Sequence, residues 1–477
     1  MTVDGLDVYR PGDRIDVLPD DVLLGIFDYH MIMNPSLFGS KRGVEVWQTL
    51  VHVCRRWRYL VFGSPRRLKL RLCCSPKTPA KDTVDVWPAL PLVVKGDMAL
   101  SGTDTDNIIA ALGRSNHVHD IHLWGFAGRQ LEKALAVMQV PFPELTDLRL
   151  HSKGETLPVV PDSFLGGSAP RLEIFSSTGL PFPGLPKLLL SVNHLLYLEL
   201  INIPHSGYFS PQAMIDLLPV LSSLRRLHLR FQSPQSHPNR ETRRPPPSKR
   251  SVLPALDEFH LKAATEYSEE LVNSIDTPQL RRMFINFFNQ IDFACPRLAQ
   301  FINRTPTLRT LNYAQVQFDT TNAGVSLRDG PSGSSFGHLE IAILCREQDW
   351  QLSFIEQVCN SSLPSVPTVE DLYIDRRYVP LVWKNDAIDD TLWLQLLLPF
   401  TAVKNLYLSK EFTPGIAAAL RELVRSRITD ALPNLQTILV EELEPSGPLQ
   451  KIIGQFVAAR QLSDHPVIVS VWSKTPT

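Results

Sequence analysis

The sequence predicts an α/β protein in which a short all-helical head is followed by an irregular solenoid, one strand plus one helix per repeat. Three observations predict it. An apolar signature of the form L-x-x-L-x-L recurs through most of the 477 residues. Stretches of helical period lie between its copies. A helix-patterned, tryptophan-containing block near the N-terminus has no counterpart in the repeats.

The repeat signatures come first, because a missed repeat miscalls the whole fold. They begin at Val118, Leu145, Leu172, Leu195, Leu224, Leu256, Leu280, Leu308, Leu339, Val369, Val403 and Leu435, at spacings of 23 to 34 residues. The L-x-L period inside each copy marks a short strand with one buried face. Helical segments are expected at 107–113, 130–139, 212–221, 269–275, 297–303 and 415–427. A strand and a helix in about 30 residues cannot bury their apolar faces alone, whereas stacked copies bury a continuous core. Over roughly 90–472 the body resembles leucine-rich-repeat proteins, although its units are long and uneven. Two inserted segments, 232–251 (Pro-rich, polar and basic) and 324–337 (Gly/Ser-rich), have too little to bury and are expected to be unstructured.

In the head, LPDDVLLGIF (18–27) starts a helix: Pro19 suits the first turn, and Asp20 and Asp21 suit its positive end. A second helix is expected through Trp47–Phe62, with Trp47, Leu50, Val53, Cys54, Trp57 and Leu60 or Val61 on its apolar face. Leu68, Leu70 and Leu72 then alternate as a strand does. So small a helical unit buries little surface and is expected to depend on docking.

LPDDVLLGIF followed by VHVCRRWRYLVFGSPRRLKLRL resembles an F-box, in particular the form common in fungal families. The resemblance covers about 14–62. It implies a helical domain that docks on a Skp-type adaptor and through it joins cullin and RING subunits, while the solenoid holds an unidentified protein substrate. It implies adaptor contacts by Leu18, Pro19, Val22, Leu23, Ile26 and Phe27 from the first half of the motif, and by Val53, Cys54 and Trp57 from the second. The region 63–117 is expected to hold the connection and the first solenoid units, and 118–472 the leucine-rich-repeat-like solenoid. The implied function is that of a non-catalytic substrate receptor of an SCF-type ubiquitin ligase. The alternative is a protein-binding scaffold outside any ligase, its head serving as a helical cap.

Composition fits this reading. Hydrophobic residues make up 44%, charged residues 20% and aromatic residues 8% of the chain, as in folded soluble proteins. With 48 Lys+Arg against 49 Asp+Glu, the balance argues against a nucleic-acid partner. The six cysteines form no CxxC pair, so neither a zinc site nor a disulfide framework is expected, and a cytoplasmic or nuclear location is. No signal-like segment opens the chain, no apolar run approaches the ~20 residues of a membrane span, and a membrane role is not expected.

Other chemistry is weakly represented. His117, His119 and His122 cluster in sequence, but His122 is expected on the opposite strand face to the other two, so no metal site is expected there. Gly333-Ser-Ser-Phe-Gly337 matches G-x-S-x-G without the strand before it and helix after it that a nucleophile needs. Phosphate-loop and dinucleotide motifs are absent. No catalytic residue, metal or cofactor is expected. The basic run Arg55, Arg56, Arg58, Arg66, Arg67, Lys69 and Arg71 reads as a solvated face. On the solenoid, Arg225, Arg226, His228 and Arg230 lie between strand leucines and are candidates for the binding surface.

Overall fold

The computed structural model describes residues 18–33, 46–76, 90–97, 105–152, 157–234, 250–289, 293, 295–330, 337–376, 390–425, 429–441 and 448–472. The chain forms two compact units, one of residues 1–156 with 163–169, the other of 157–162 with 170–477.

The first unit starts with helices α1 (Asp20–Met33), α2 (Val46–Val51) and α3 (Arg55–Gly63). The expected single helix from Trp47 to Phe62 is in fact two. Cys54 takes an extended backbone and its thiol accepts the Trp57 N–H at 3.4 Å, which caps a new helix. Val53 and Cys54 therefore sit in the break, exposed, rather than on a shared apolar face. Leu23, Phe27, Trp47, Leu50, Val51, Leu60 and Val61 close the core of the head. The Trp47 indole N–H donates to the Arg71 carbonyl at 2.8 Å, tying α2 to the chain that leaves the head. Leu68, Leu70 and Leu72 are all buried, yet only Leu72 is in a strand, because 65–69 form a turn with Lys69 at φ 48°.

Strands β1 (Leu72–Cys74), β2 (Leu92–Asp97), β3 (Val118–Phe126) and β4 (Asp147–Ser152) pair in parallel in that order, with α4 (Asp106–Leu112) and α5 (Gly128–Val137) between them. The helical head belongs to this same compact unit.

The second unit runs β5 (Ile174–Thr178), α6 (Leu185–Leu189), β6 (Tyr197–Ile203), α7 (Pro211–Leu217), β7 (Arg226–Phe231), β8 (Ser251–Val252), β9 (Glu258–Ala263), α8 (Thr265–Asn273), β10 (Ile275–Asp276) and β11 (Arg282–Phe288). It continues with α9 (Pro296–Arg304), β12 (Tyr313–Phe318), β13 (Asn322–Arg328), β14 (His338–Leu344), α10 (Gln348–Ser361), β15 (Asp371–Arg376), α11 (Asp390–Leu397), β16 (Asn405–Leu408), α12 (Thr413–Arg425), β17 (Thr437–Val440), α13 (Pro448–Leu462) and β18 (Ile468–Val471). Its strand order is β5-β6-β7-β9-β11-β14-β13-β12-β15-β16-β17-β18, with β8 and β10 as a separate small pair. This is an irregular, leucine-rich-repeat-like solenoid of strand plus helix.

Two devices repeat along it. The apolar residue opening each signature (Leu195, Leu224, Leu256, Leu280, Val369, Val403, Leu435) is buried just before its strand. The chain is also pinned there to the preceding repeat. Two successive amides share one carbonyl: Arg225 and Arg226 donate to Leu196, Asp257 and Glu258 to Arg225, Arg281 and Arg282 to Asp257, Lys404 and Asn405 to Glu370. These bonds fix register, so side chains at equivalent positions line up across strands.

The order departs from a simple solenoid at β12–β14. There β13 runs antiparallel between β12 and β14, and β14 rather than β12 pairs with β11. The Gly/Ser composition of 324–337 predicts an unstructured loop there. Residues 324–328 instead belong to β13, where Val325 and Leu327 are buried and Gly324 packs tightly against Ala342 and the Ile341 carbonyl. Of the other insertion, 232–251, its last residue Ser251 opens β8, and 235–249 lie outside the described residues. So do 331–336, which hold most of the G-x-S-x-G match.

Candidate functional site

The head carries an exposed apolar surface over a closed core. On α1, Val22, Ile26, Tyr29 and Met33 recur at i, i+4, i+7 and i+11 and form one stripe. They are 41%, 42%, 64% and 61% exposed. Leu23, Leu24 and Phe27 occupy the inward side. Val53 and Cys54, in the break before α3, are exposed, and Trp57 is half-buried with its ring 4.7 Å from that of Phe27.

Of the nine residues implied as adaptor contacts, seven therefore offer surface: Leu18 in part, Pro19, Val22, Ile26, Val53, Cys54 and, in part, Trp57. Leu23 and Phe27 do not. Both are fully buried in the head's own core and can only support the surface from beneath. Tyr29, Ile32 and Met33 are exposed as well and lie beyond the matched motif.

The basic run is less uniform than a solvated face. Arg56 bonds to Asp20 and to the Leu18 carbonyl, Arg58 Nε donates to the Val51 carbonyl at 3.0 Å, and Arg71 pairs with Asp120. The clustered histidines have separate surroundings. His117 is exposed, His119 meets Thr146 Oγ1 at 2.8 Å, and His122 faces Asp147 at 3.3 Å.

On the second unit, the strand face opposite the leucines is polar and aligned by register. Glu199 on β6, His228 on β7, His260 on β9 and Phe284 on β11 stand side by side. Glu258, two residues before His260, faces the same way. Its Oε1 lies 3.0 Å from His228 Nε2 and 2.9 Å from His260 Nε2, while Arg282 and Arg226 approach Oε2 at 2.6 and 3.3 Å. The hydrogen bond from His228, aided by His260 and Arg282, holds the Glu258 carboxyl far below its usual range. Burial would lower His228, but hydrogen bonds to Glu199 and Glu258 raise it; burial lowers His260 despite Glu258. Of the four solenoid candidates, Arg226 and His228 join this cluster, while Arg225 and Arg230 are exposed beside it. Glu258 and His260 escape sequence reading because they sit about 30 residues from His228 and meet it only through strand register.

No family model matches the chain, and no curated protein matches it. Among solved structures it is similar to a chain from the complex of Rad7 and Elc1 in yeast, at 13% identity over 90% of this chain and 91% of that one, with a TM-score of 0.30. It is similar also to the leucine-rich repeat-containing protein LegL7 from Legionella pneumophila, at 13% identity over 81% of this chain and 97% of that one, with a TM-score of 0.26. At those values neither likeness informs the reading of this chain's surfaces.

Proposed function

We propose that the chain is a non-catalytic substrate receptor, its head docking on a Skp-type adaptor of a cullin–RING ubiquitin ligase and its solenoid holding a protein target. The observation that carries the reading is the apolar stripe Val22–Ile26–Tyr29–Met33 left in solvent over a core that is already closed. An isolated exposed side chain is ordinary; a full helical stripe is a site for another surface. An apolar helix face laid into a groove is a common recognition mode, and the F-box-like motif supports a Skp-type adaptor as the partner that offers the groove. Ubiquitin transfer would belong to other subunits, so no nucleophile is required here.

Co-purification of the full chain with a Skp-type adaptor tests this. Ile26→Asp with Val53→Asp should abolish the association while circular dichroism and thermal midpoint stay near wild type, because both side chains are exposed. A wild-type chain that ignores the adaptor, or a folded double variant that binds it undiminished, would leave the scaffold reading in its place.

A further inference from the structure

We propose that His228, Glu258 and His260 bind a divalent d-block cation of the zinc type. One ligand atom from each lies within 4.8 Å of the other two. The two Nε2 atoms lie 3.0 and 2.9 Å from the same oxygen, Oε1 of Glu258. Zinc takes imidazole nitrogen and carboxylate oxygen at about 2.0–2.2 Å in a tetrahedron, which separates neighbouring ligand atoms by roughly 3.3 Å. The His228 and His260 rings, with centroids 4.0 Å apart, must separate by about 1 Å to present their Nε2 atoms at a tetrahedral angle to the ion.

The surroundings prepare each ligand. His228 Nδ1 faces Glu199 Oε1 at 3.4 Å, and Ser176 Oγ donates to the other Glu199 oxygen at 2.8 Å. A proton on Nδ1 turned toward Glu199 leaves Nε2 as the metal donor, the arrangement by which an outer carboxylate fixes the tautomer of a ligating histidine. Arg226 and Arg282 engage Oε2 and so leave Oε1 turned to the imidazoles. The Phe284 ring, 4.1 Å from that of His260, restrains its rotation.

Both Nε2 atoms converge on one carboxylate oxygen, His260 at 2.9 Å and His228 at 3.0 Å. A cation placed among the two Nε2 atoms and Oε1 replaces those contacts with metal–ligand bonds and displaces to solvent any proton that Nε2 carries. His228 and His260 are only partly buried, so the ion has a path in, and its remaining position is left for water or an anionic group.

The full chain, stripped with chelator and titrated with Zn²⁺ alone, tests the site. One equivalent should bind. His228→Ala and Glu258→Gln should each weaken binding by about a hundredfold or more, and Glu199→Gln by roughly tenfold. His119→Ala, outside the cluster, should leave binding unchanged. Co²⁺ in place of zinc should give the intense visible bands of a four-coordinate ion in the wild-type chain, a readout that does not depend on any variant folding. A wild-type chain with no stoichiometric zinc and no such cobalt bands overturns the site, as does undiminished binding in folded His228→Ala protein.

Discussion

Arg56 and Asp20 join the two halves of the head: the guanidinium Nη2 lies 2.6 Å and Nε 3.0 Å from one Asp20 carboxylate oxygen. Arg56 also bonds the Leu18 carbonyl, so the first turn of α1 is fastened to the first turn of α3. Both side chains are part-exposed, and an ion pair of that kind contributes at most about 1 kcal/mol. Arg56→Ala should therefore leave the protein folded and weaken adaptor association by about fivefold or less. A complete loss of binding in pull-down titration would show that Arg56 itself touches the adaptor.

Trp47 is the keystone of the head. It is 1% exposed, meets the Phe62 ring edge-on and donates to the Arg71 carbonyl. Trp47→Ala should cost about 3–5 kcal/mol by the cavity it leaves. Trp47→Phe keeps most of the volume and strands one carbonyl, for about 1–3 kcal/mol. Denaturant titration of the full chain, following the first transition affected, measures both.

Near the other end, Arg460 on α13 is fully buried and its Nη2 donates to the carbonyls of Leu432, Pro433 and Leu435. It satisfies the turn that leads into β17. Arg460→Ala removes these three bonds, leaving the Leu432 carbonyl only its bond from the Leu435 amide, and should cost upwards of about 2 kcal/mol. Hydrogen exchange should quicken in β17 and β18 and stay unchanged in β1–β4.

Asp147 gives the acid limb of stability a definite origin. Burial alone would raise its carboxyl, but hydrogen bonds and charge from His122 and Arg149 outweigh it and hold the group below its ordinary value. A carboxyl depressed in the folded state stabilises fully above its unfolded pKa and loses that contribution as pH falls through the native one. Wild type should therefore exceed Asp147→Asn in stability at neutral pH, with the difference shrinking below about pH 4. A difference that persists undiminished at about pH 2 would contradict the account.

The leucine strands are legible in the sequence because each pairs a two-residue period with an apolar residue just upstream, as Leu224 precedes Leu227 and Leu229. Helix α1 is less so: Leu23, Leu24 and Phe27 and Val22, Ile26 and Tyr29 are two apolar stripes on one helix. Periodicity does not say which stripe a helix apolar on so many sides turns inward. Only the rest of the head decides that, and it buries Leu23 and Phe27. The break at Cys54 is hidden because apolar spacing runs straight through it and a thiol is not among the preferred caps. His228, Glu258 and His260 meet by strand alignment, which no local window contains. Strand β13 is disguised by its glycine and serine, and LEIAIL at 339–344 reads as one more repeat although it is the returning arm of an antiparallel meander.

That meander sets an order of events for a growing polypeptide. Strands β6, β7, β9, β10 and β11 can each settle on a neighbour already made. β12 cannot: its eventual partners are β13 and β15, and the edge of β11 is reserved for β14, which leaves the ribosome later. A nascent chain halted near Phe318 would hold the open edge of β11 and both edges of β12 unsatisfied at once, so synthesis through this stretch is where a chaperone, or a mispaired neighbour, has its opening.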